Sequence, residues 1–576
     1  YTVYDFGDAT IIGETRAFMN QSNPAQAIQL NKELYKKDIF TGKWFIQIEP
    51  VKGLKATANL GINYGGTRFQ QTANPFYGQF ASSGGYAYVS TSRDLAIDQQ
   101  YLISFARKFG DHNVDALVGY ENYRHLMSSQ SGTKQKLFNP DIAEISNAIL
   151  SPDASSSTDS YFTQGILVQA KYDYASRYFV SASYRRDGSS RFAKGHQWGN
   201  FWSVGAAWDI NSEPFMESIE QIDLLKLKVS YGSQGNDALL DQNGYANYHV
   251  WADQYTISEN NGEFATTMTY KGNEDLTWET SYNFNAGIDF AFFNERFSGT
   301  IEGWRRRTKD MLYYRPVASS LGYAYLPVNI GSVSNAGLDV ELNGDVIRTK
   351  NVTWSLFANL SYFKNKILQL SPELEGQWVE GTYIYKEGSS MYNRYLKAYA
   401  GVNKANGNSL WYMDEVDDEG NPTGKRVTTE NYSEASNYET GDVLPKVYGG
   451  FGTTLEAYGV DLSVAFNWQA GGKIYDSGYA LLMHGGESTG QNWHTDILNA
   501  WTPENTDTDI PRLNAADRYV NGTSDRFLIS SNYLSLQNIT LGYTLPKELT
   551  KRAHIEKIRV YAVADNIALW SARKGL

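Results

Sequence analysis

The chain has 576 residues, 41% hydrophobic and 20% charged, with no cysteine, which removes disulfide scaffolds, thiolate zinc sites and cysteine nucleophiles. Its 14 Trp, 42 Tyr and 26 Phe exclude disorder as a description of the whole chain, and a net charge of −12 repels a nucleic-acid backbone. Mean hydropathy of −0.47, with no apolar run near 18 residues, excludes helical membrane spans but not a membrane barrel, in which only every second residue meets lipid. The opening Tyr1-Thr2-Val3-Tyr4-Asp5 shows neither an initiator Met nor a basic stretch ahead of an apolar one, as in a mature or truncated chain.

Period-two alternation governs the chain from Ala56 onward. Apolar residues occupy every second position over 56–64, 114–120, 166–174, 202–210, 282–292, 338–346, 354–362 and 460–468. From Val460, for example, Val460, Leu462, Val464, Phe466 and Trp468 alternate with Asp461, Ser463, Ala465 and Asn467. Runs of about 9–12 residues match the length a tilted strand needs to cross a bilayer. Tyr and Trp collect towards the row ends (Tyr64, Tyr120, Tyr172, Trp202, Trp354, Tyr362, Trp468), where interfacial girdles belong. A soluble sandwich shares the alternation but not the girdles.

Some sixteen strands are predicted, starting near residues 44, 54, 97, 113, 163, 178, 199, 223, 278, 296, 337, 353, 446, 460, 528 and 557. Short turns are expected at Pro50–Gly53, Gly110–Asn113, Ala175–Arg177, Asn294–Glu295, Lys350–Val352 and Tyr458–Gly459, and long polar loops over 65–96, 125–161, 188–198, 233–276, 307–335, 366–445 and 470–527. That asymmetry is the pattern of periplasmic turns and extracellular loops. The reading is therefore all-β: a transmembrane antiparallel β-barrel over 44–576, preceded by an extracellular loop or early barrel connection over 1–43. Tyr395–Gly401 and Leu410–Met413 are a candidate hairpin within a loop.

Little in the sequence points to covalent chemistry. The seven histidines are scattered and form no HExxH or His-x-His group, and no GxSxG, Walker A or GxGxxG-to-helix motif occurs. The acidic run Asp414-Glu415-Val416-Asp417-Asp418-Glu419 lacks calcium-loop spacing and reads as a solvated hairpin tip. No metal, cofactor or enzymatic activity is expected. Arg185-Arg186 and Arg305-Arg306-Arg307 lie near strand ends, where interfacial anchoring, salt bridges and contact to an anionic lipid or ligand remain open.

From Tyr161 the chain reads YFTQGILVQAKYDYASRYFVSASYRRDGSSRFAKGHQWGNFWSVGAAWDINSEPFM, with a core of Arg186, Asp187, Gly188, Ser189, Ser190, Arg191 and Phe192. LKLKVSYGSQGN (225–236), NEDLTWET (273–280), NIGSVSNAGL (329–338), WTPEN (501–505), SNYLSLQNITLGYTLP (531–546) and RVYAVADN (559–566) follow in order. Together these resemble the SusC/RagA family of TonB-linked outer-membrane transporters. The resemblance implies a 22-stranded barrel, of which about sixteen strands fall here, and a plug and TonB box that lie elsewhere. It also implies energised import of oligosaccharides or oligopeptides beneath a SusD-like surface lipoprotein, driven by the TonB–ExbB–ExbD complex. Dimers of transporter–lipoprotein pairs, in a bilayer capped by lipopolysaccharide, are the expected assembly. The alternative is a passive sixteen-stranded porin.

Substrate or lid contact is expected in the two longest loops, through Tyr383, Tyr385, Tyr392, Tyr395, Trp411, Tyr412, Tyr475, Trp493 and Trp501, with packing of the loops' own small cores as the competing role. The residues 186–192 are read as structural.

Overall fold

A computed structural model describes residues 28–76, 80–241, 244–487, 490–552 and 554–572. Sixteen strands form one antiparallel sheet in sequential order: β1 Lys32–Val51, β2 Leu54–Ala73, β3 Tyr86–Phe109, β4 His112–Leu137, β5 Ala148–Tyr174, β6 Tyr178–Ser189, β7 Trp198–Asp209 and β8 Ile222–Asn236, then β9 Glu279–Phe292, β10 Phe297–Lys309, β11 Ser332–Arg348, β12 Val352–Gln369, β13 Val447–Ala457, β14 Val460–Ala470, β15 Tyr533–Thr544 and β16 Arg559–Ser571. Among the described residues β1 pairs only with β2 and β16 only with β15.

The pairing register carries the sequence alternation across the wall. Between β9 and β10, Ile288 lies opposite Ile301 on one face, while Asp289 opposite Thr300 and Gly287 opposite Glu302 share the other. A one-residue slip would exchange the faces, so burial in lipid on one side fixes the register. The outward face exposes large apolar side chains such as Ile301, Leu338 and Leu356. At the tight-turn end it carries stacked rings, Tyr174 on Tyr178 and Tyr178 on Trp208, with centroids 6.5 and 6.4 Å apart. Tyr231 and Tyr282 stack at 6.5 Å nearer the other end.

The inward face is a polar network. Arg185 pairs with Glu121 at 2.8 Å and with Asp187 at 2.6 Å, although β5 runs between Glu121 and Arg185. The crossing requires Gly165 on β5, because a Cβ there would lie 2.3 Å from Asp187 Oδ1 and 2.9 Å from Arg185 Nη2. Further round, Lys228 joins Asp289 at 2.8 Å and Glu302 at 3.6 Å, and Asp339 accepts from Trp304 at 2.7 Å and Ser361 at 2.6 Å.

All six predicted tight turns fall at junctions of consecutive strands, although Pro50 and Val51 still belong to β1, His112 and Asn113 to β4 and Val352 to β12. The predicted loops are shorter than expected on one flank. β2 runs to Ala73 and β3 starts at Tyr86; β4 runs to Leu137 and β5 starts at Ala148, so much of 65–96 and 125–161 is strand. Likewise β1 begins at Lys32 rather than near residue 44, so the 1–43 connection gives way to strand from there; residues 1–27 lie outside the described residues. The reason is physical. Apolar alternation marks only the part of a strand that faces lipid, and the ladder continues into water on backbone bonds that leave no trace in side-chain pattern. In Ser155-Ser156-Ser157-Thr158 both faces are polar, yet Ser157 stands opposite Ser129 with hydroxyls 2.8 Å apart.

Other loops hold hairpins: Gln254–Asn260 with Glu263–Tyr270, and Leu312–Pro316 with Tyr325–Asn329. The expected loop hairpin is present as Tyr399–Val402 with Ser409–Val416, although Asn393–Lys397 is a separate strand. The acidic run forms the turn to Pro422–Thr429, in which Asp417 Oδ1 accepts from the backbone N–H of Glu419 and Asn421.

Candidate functional site

The long loops pack into a layer at one end of the wall, and its first anchor is the Arg186–Phe192 segment. Asp237, just past the end of β8, accepts three hydrogen bonds, from Ser189 Oγ at 2.5 Å, Tyr161 OH at 2.7 Å and Arg191 Nη1 at 3.0 Å. The Arg191 guanidinium lies over the rings of Tyr161 (4.3 Å) and Tyr248 (5.1 Å), a planar cation between two π faces. One residue on, Phe192 is 1% exposed and joins Leu239, Val250, Leu276 and Leu312 in a small apolar core covered by Trp278 and Tyr314. Trp278 Nε1 closes the arrangement on Gln197 O at 2.8 Å. Within the same segment Arg186 instead turns outward over Trp198 at 5.2 Å, and Gly188 gives the Trp198 ring room, 3.2 Å from where a Cβ would stand.

A second assembly locks the two longest loops together. Trp411, 1% exposed, lies edge-to-face with Tyr399 at 5.2 Å and Tyr432 at 5.1 Å, and Tyr432 stacks on Tyr519 of the other loop at 4.7 Å. The Tyr399 N–H donates to Asp525 Oδ1 at 2.8 Å, and its hydroxyl to Asp509 O at 2.9 Å; burial pushes that phenol up to about 12. Arg526 lies over Tyr399 and Phe527 at 5.0 and 5.2 Å and donates to Val520 O. Gly407, in the left-handed region, allows the Trp501 ring to approach within 2.4 Å of where a Cβ would be. Beside it Glu430 accepts from the amides of Asn403, Asn406 and Asn408 at 2.5, 3.0 and 2.7 Å, which hold its carboxyl below the usual range.

Beside the first of these assemblies, sharing Leu239, Leu312 and Tyr314 with it, opens a cleft of about 500 Å³, framed by Tyr270, Tyr313, Tyr314, Tyr323, Tyr325 and Trp378, with Asp241, Lys271 and Glu380 also lining it. Trp378 is edge-on to Tyr313 at 5.4 Å and stacks on Tyr385 at 5.0 Å. Arg315 Nη1 ties the loop after β10 to Glu373 of the next loop at 2.9 Å. The Tyr313 hydroxyl is buried and has no hydrogen-bond partner among the described residues; burial, with Glu380 nearby, pushes it upward. Convergent aromatic faces with a few polar groups are the surface small ligands bind.

The nine loop aromatics singled out from sequence are not brought together. Tyr385 backs the cleft through Trp378, and Tyr383 lies beneath the Arg394 guanidinium at 4.2 Å. Trp411 is sealed within the loop core, so its ring cannot touch a solute or lid. Tyr475 packs against Phe527, Trp501 donates to Lys404 O at 3.2 Å, and Tyr395 and Tyr412 are half-buried in loop strands. Tyr392 and Trp493 remain exposed, at 45% and 42%, the latter stacked on a buried His484 at 4.8 Å. Sequence reasoning missed the cleft's own rings; the only local signal was the spacing Tyr313-Tyr314 and Tyr323-x-Tyr325 within one loop.

Residues 8–567 match the family model described as TonB dependent receptor-like, beta-barrel. The chain is 26% identical to TonB-dependent receptor P3 of Formosa agariphila, over 100% of this chain and 57% of that protein. It is also 26% identical to TonB-dependent receptor SusC of Bacteroides thetaiotaomicron, over 96% and 55%. The structure of the RagAB peptide transporter superposes with a TM-score of 0.84 at 26% identity, covering 96% of this chain and 60% of that one. The chain thus spans a little over half the length of these relatives. With its sixteen-stranded wall and tight-turn/long-loop asymmetry, the chain belongs to the TonB-dependent receptor β-barrel family of the outer membrane, in its SusC/RagA type.

Proposed function

We propose that this chain forms the barrel wall and extracellular recognition layer of a TonB-dependent importer of oligosaccharides or oligopeptides. A SusD-like lipoprotein would close over the loops, and a plug with its TonB box, pulled by TonB–ExbB–ExbD, would open the path through the polar-lined lumen. Pairs of transporter and lipoprotein would assemble as dimers. The observation that carries this reading is the aromatic cleft at the loop end of a SusC/RagA-type barrel. Rings such as Tyr313 and Trp378 offer stacking faces for sugar rings or peptide side chains, and Asp241, Lys271 and Glu380 offer partners for hydroxyls or amides. Residues 186–192 act beneath that surface, as an anchor for the loops.

The test is uptake in the native host with the full-length protein carrying Trp378→Ala or Tyr313→Ala, with fluorescent oligosaccharides and oligopeptides as probes. Losing a stacking partner worth about 1–1.5 kcal/mol lowers uptake at limiting solute roughly tenfold. Dissipating the proton-motive force abolishes it in the unsubstituted protein. Uptake indifferent to the proton-motive force would replace active import with a passive pore.

A further inference from the structure

The outward face of β10 changes character abruptly. Ile301 and Gly303 are followed, at the same alternate positions, by Arg305, Arg307 and Lys309, which stand opposite Ala336, Ser334 and Ser332 of β11. On the far side of β11, Lys364 and Lys366 of β12 pair with the same Ala336 and Ser334. Two basic ridges therefore flank a trough floored by small side chains. Ser334 is 6% exposed, and its hydroxyl accepts from Arg305 Nε at 3.2 Å. All five cations are exposed. Every carboxylate of β9 to β12 stands on the opposite, inward face, as Asp289, Glu302 and Asp339 do, so none of these strands supplies a counter-charge to the trough. Arg306, between the two outward arginines, points inward with Asn283 and Asn335.

Height places the trough. Phe297 marks the tight-turn end of β10, and the span from 297 to 305, at about 3.3 Å per residue and about 40° of tilt, rises roughly 20 Å. The lipid-facing apolar band of such barrels is about 25 Å tall. Arg305 thus sits near its upper edge, and Arg307 and Lys309 lie roughly 5 and 10 Å above it. On β12 the apolar row ends at Tyr362, immediately below Lys364. The cations begin where hydrocarbon gives way to headgroups, on the long-loop side.

We propose that this trough is a lipopolysaccharide site that holds lipid A phosphate between Arg305 and Arg307 on one ridge and Lys364 and Lys366 on the other, with the Ser334 hydroxyl as a further donor. Guanidinium forks match phosphate geometry, clustered Lys and Arg at a bilayer surface attract anionic headgroups, and the apolar row below receives the acyl chains. The site depends on the barrel's place in the outer membrane and not on what the barrel imports.

The full-length protein, purified from its own outer membrane in mild detergent, is compared with a variant carrying Arg305→Gln, Arg307→Gln, Lys364→Gln and Lys366→Gln, and with Arg306→Gln. Native mass spectrometry counts retained lipopolysaccharide, and add-back with lipid A before and after enzymatic dephosphorylation measures competition. At roughly fivefold per cation at an anionic surface, the fourfold variant binds at least about a hundredfold more weakly, Arg306→Gln binds as the unsubstituted protein does, and dephosphorylated lipid A fails to compete. Heat-modifiable gel mobility checks folding; if the fourfold variant fails it, Lys364→Gln with Lys366→Gln is read the same way. Equal retention by the folded variant, or equal competition by dephosphorylated lipid A or by anionic phospholipid vesicles, overturns the proposal.

Discussion

Asp237→Ala should release the loop layer from the wall while leaving the wall intact. The carboxylate bonds Ser189, Tyr161 and Arg191 at once, and the Arg191 and Asp237 side chains are only 9% and 12% exposed. Removing one partner of a buried pair strands the other charge and costs about 3–5 kcal/mol. At 1.4 kcal/mol per tenfold, local opening becomes roughly two to three and a half powers of ten more frequent, saturating once the loop is fully open. Asp237→Asn keeps an acceptor but loses the charge, which removes about 1 kcal/mol from each bond, so its effect should be smaller. Hydrogen exchange on the full-length protein in detergent reads this at the Ser189 and Ser190 amides, bonded to Gln197 O and Phe162 O, and at the Asn247 amide, bonded to Leu239 O. Amides of the β9–β10 ladder serve as the reference. If exchange at those three amides stays within about threefold of the unsubstituted protein in Asp237→Ala, well short of the shift expected for a broken buried pair, the anchoring argument is wrong.

Trp411→Ala removes the ring that Tyr399 and Tyr432 pack against and should cost about 3–5 kcal/mol of loop stability; the loops after β12 and β14 would then become protease-sensitive together, and cleavage confined to one of them would refute their coupling. Gly165→Val places a side chain against Asp187 and Arg185 where the Arg185–Glu121 pair crosses β5 and should lower the heat-resistant folded fraction in detergent, whereas Gly119→Val, whose nearest neighbours are the apolar side chains of Leu102 and Leu167, should lower it less. Glu430 titrates in a defined direction. Its folded-state value is lowered by the Asn403, Asn406 and Asn408 amides, so its stabilisation is complete above the ordinary glutamate value of 4.5 and disappears as pH falls through the lower folded value. Exchange within 403–408 should therefore accelerate below about pH 4.5, and Glu430→Gln should flatten that dependence; an unchanged pH profile in the variant would sink the assignment.

The sequence by itself determined the wall. Lipid on one face and a polar lumen on the other impose a strict period of two, so rows such as Tyr282–Phe292 and Val460–Trp468 disclose strand, orientation and, through their aromatic ends, the membrane. The tight turns are equally local, because two or three residues must reverse the chain. Strand length above the bilayer was not legible: at Ser155–Thr158 both faces meet water, and pairing leaves no side-chain signature. Nor was the composition of the cleft. Tyr270, Tyr313 and Trp378 come from three different loops, and whether a loop aromatic faces solute or a neighbouring ring, as Trp411 does, depends on contacts far apart in the chain. The same holds for the arginine runs. Arg305, Arg306 and Arg307 read alike in sequence, and only the sheet register sends two of them towards lipid and one towards the lumen.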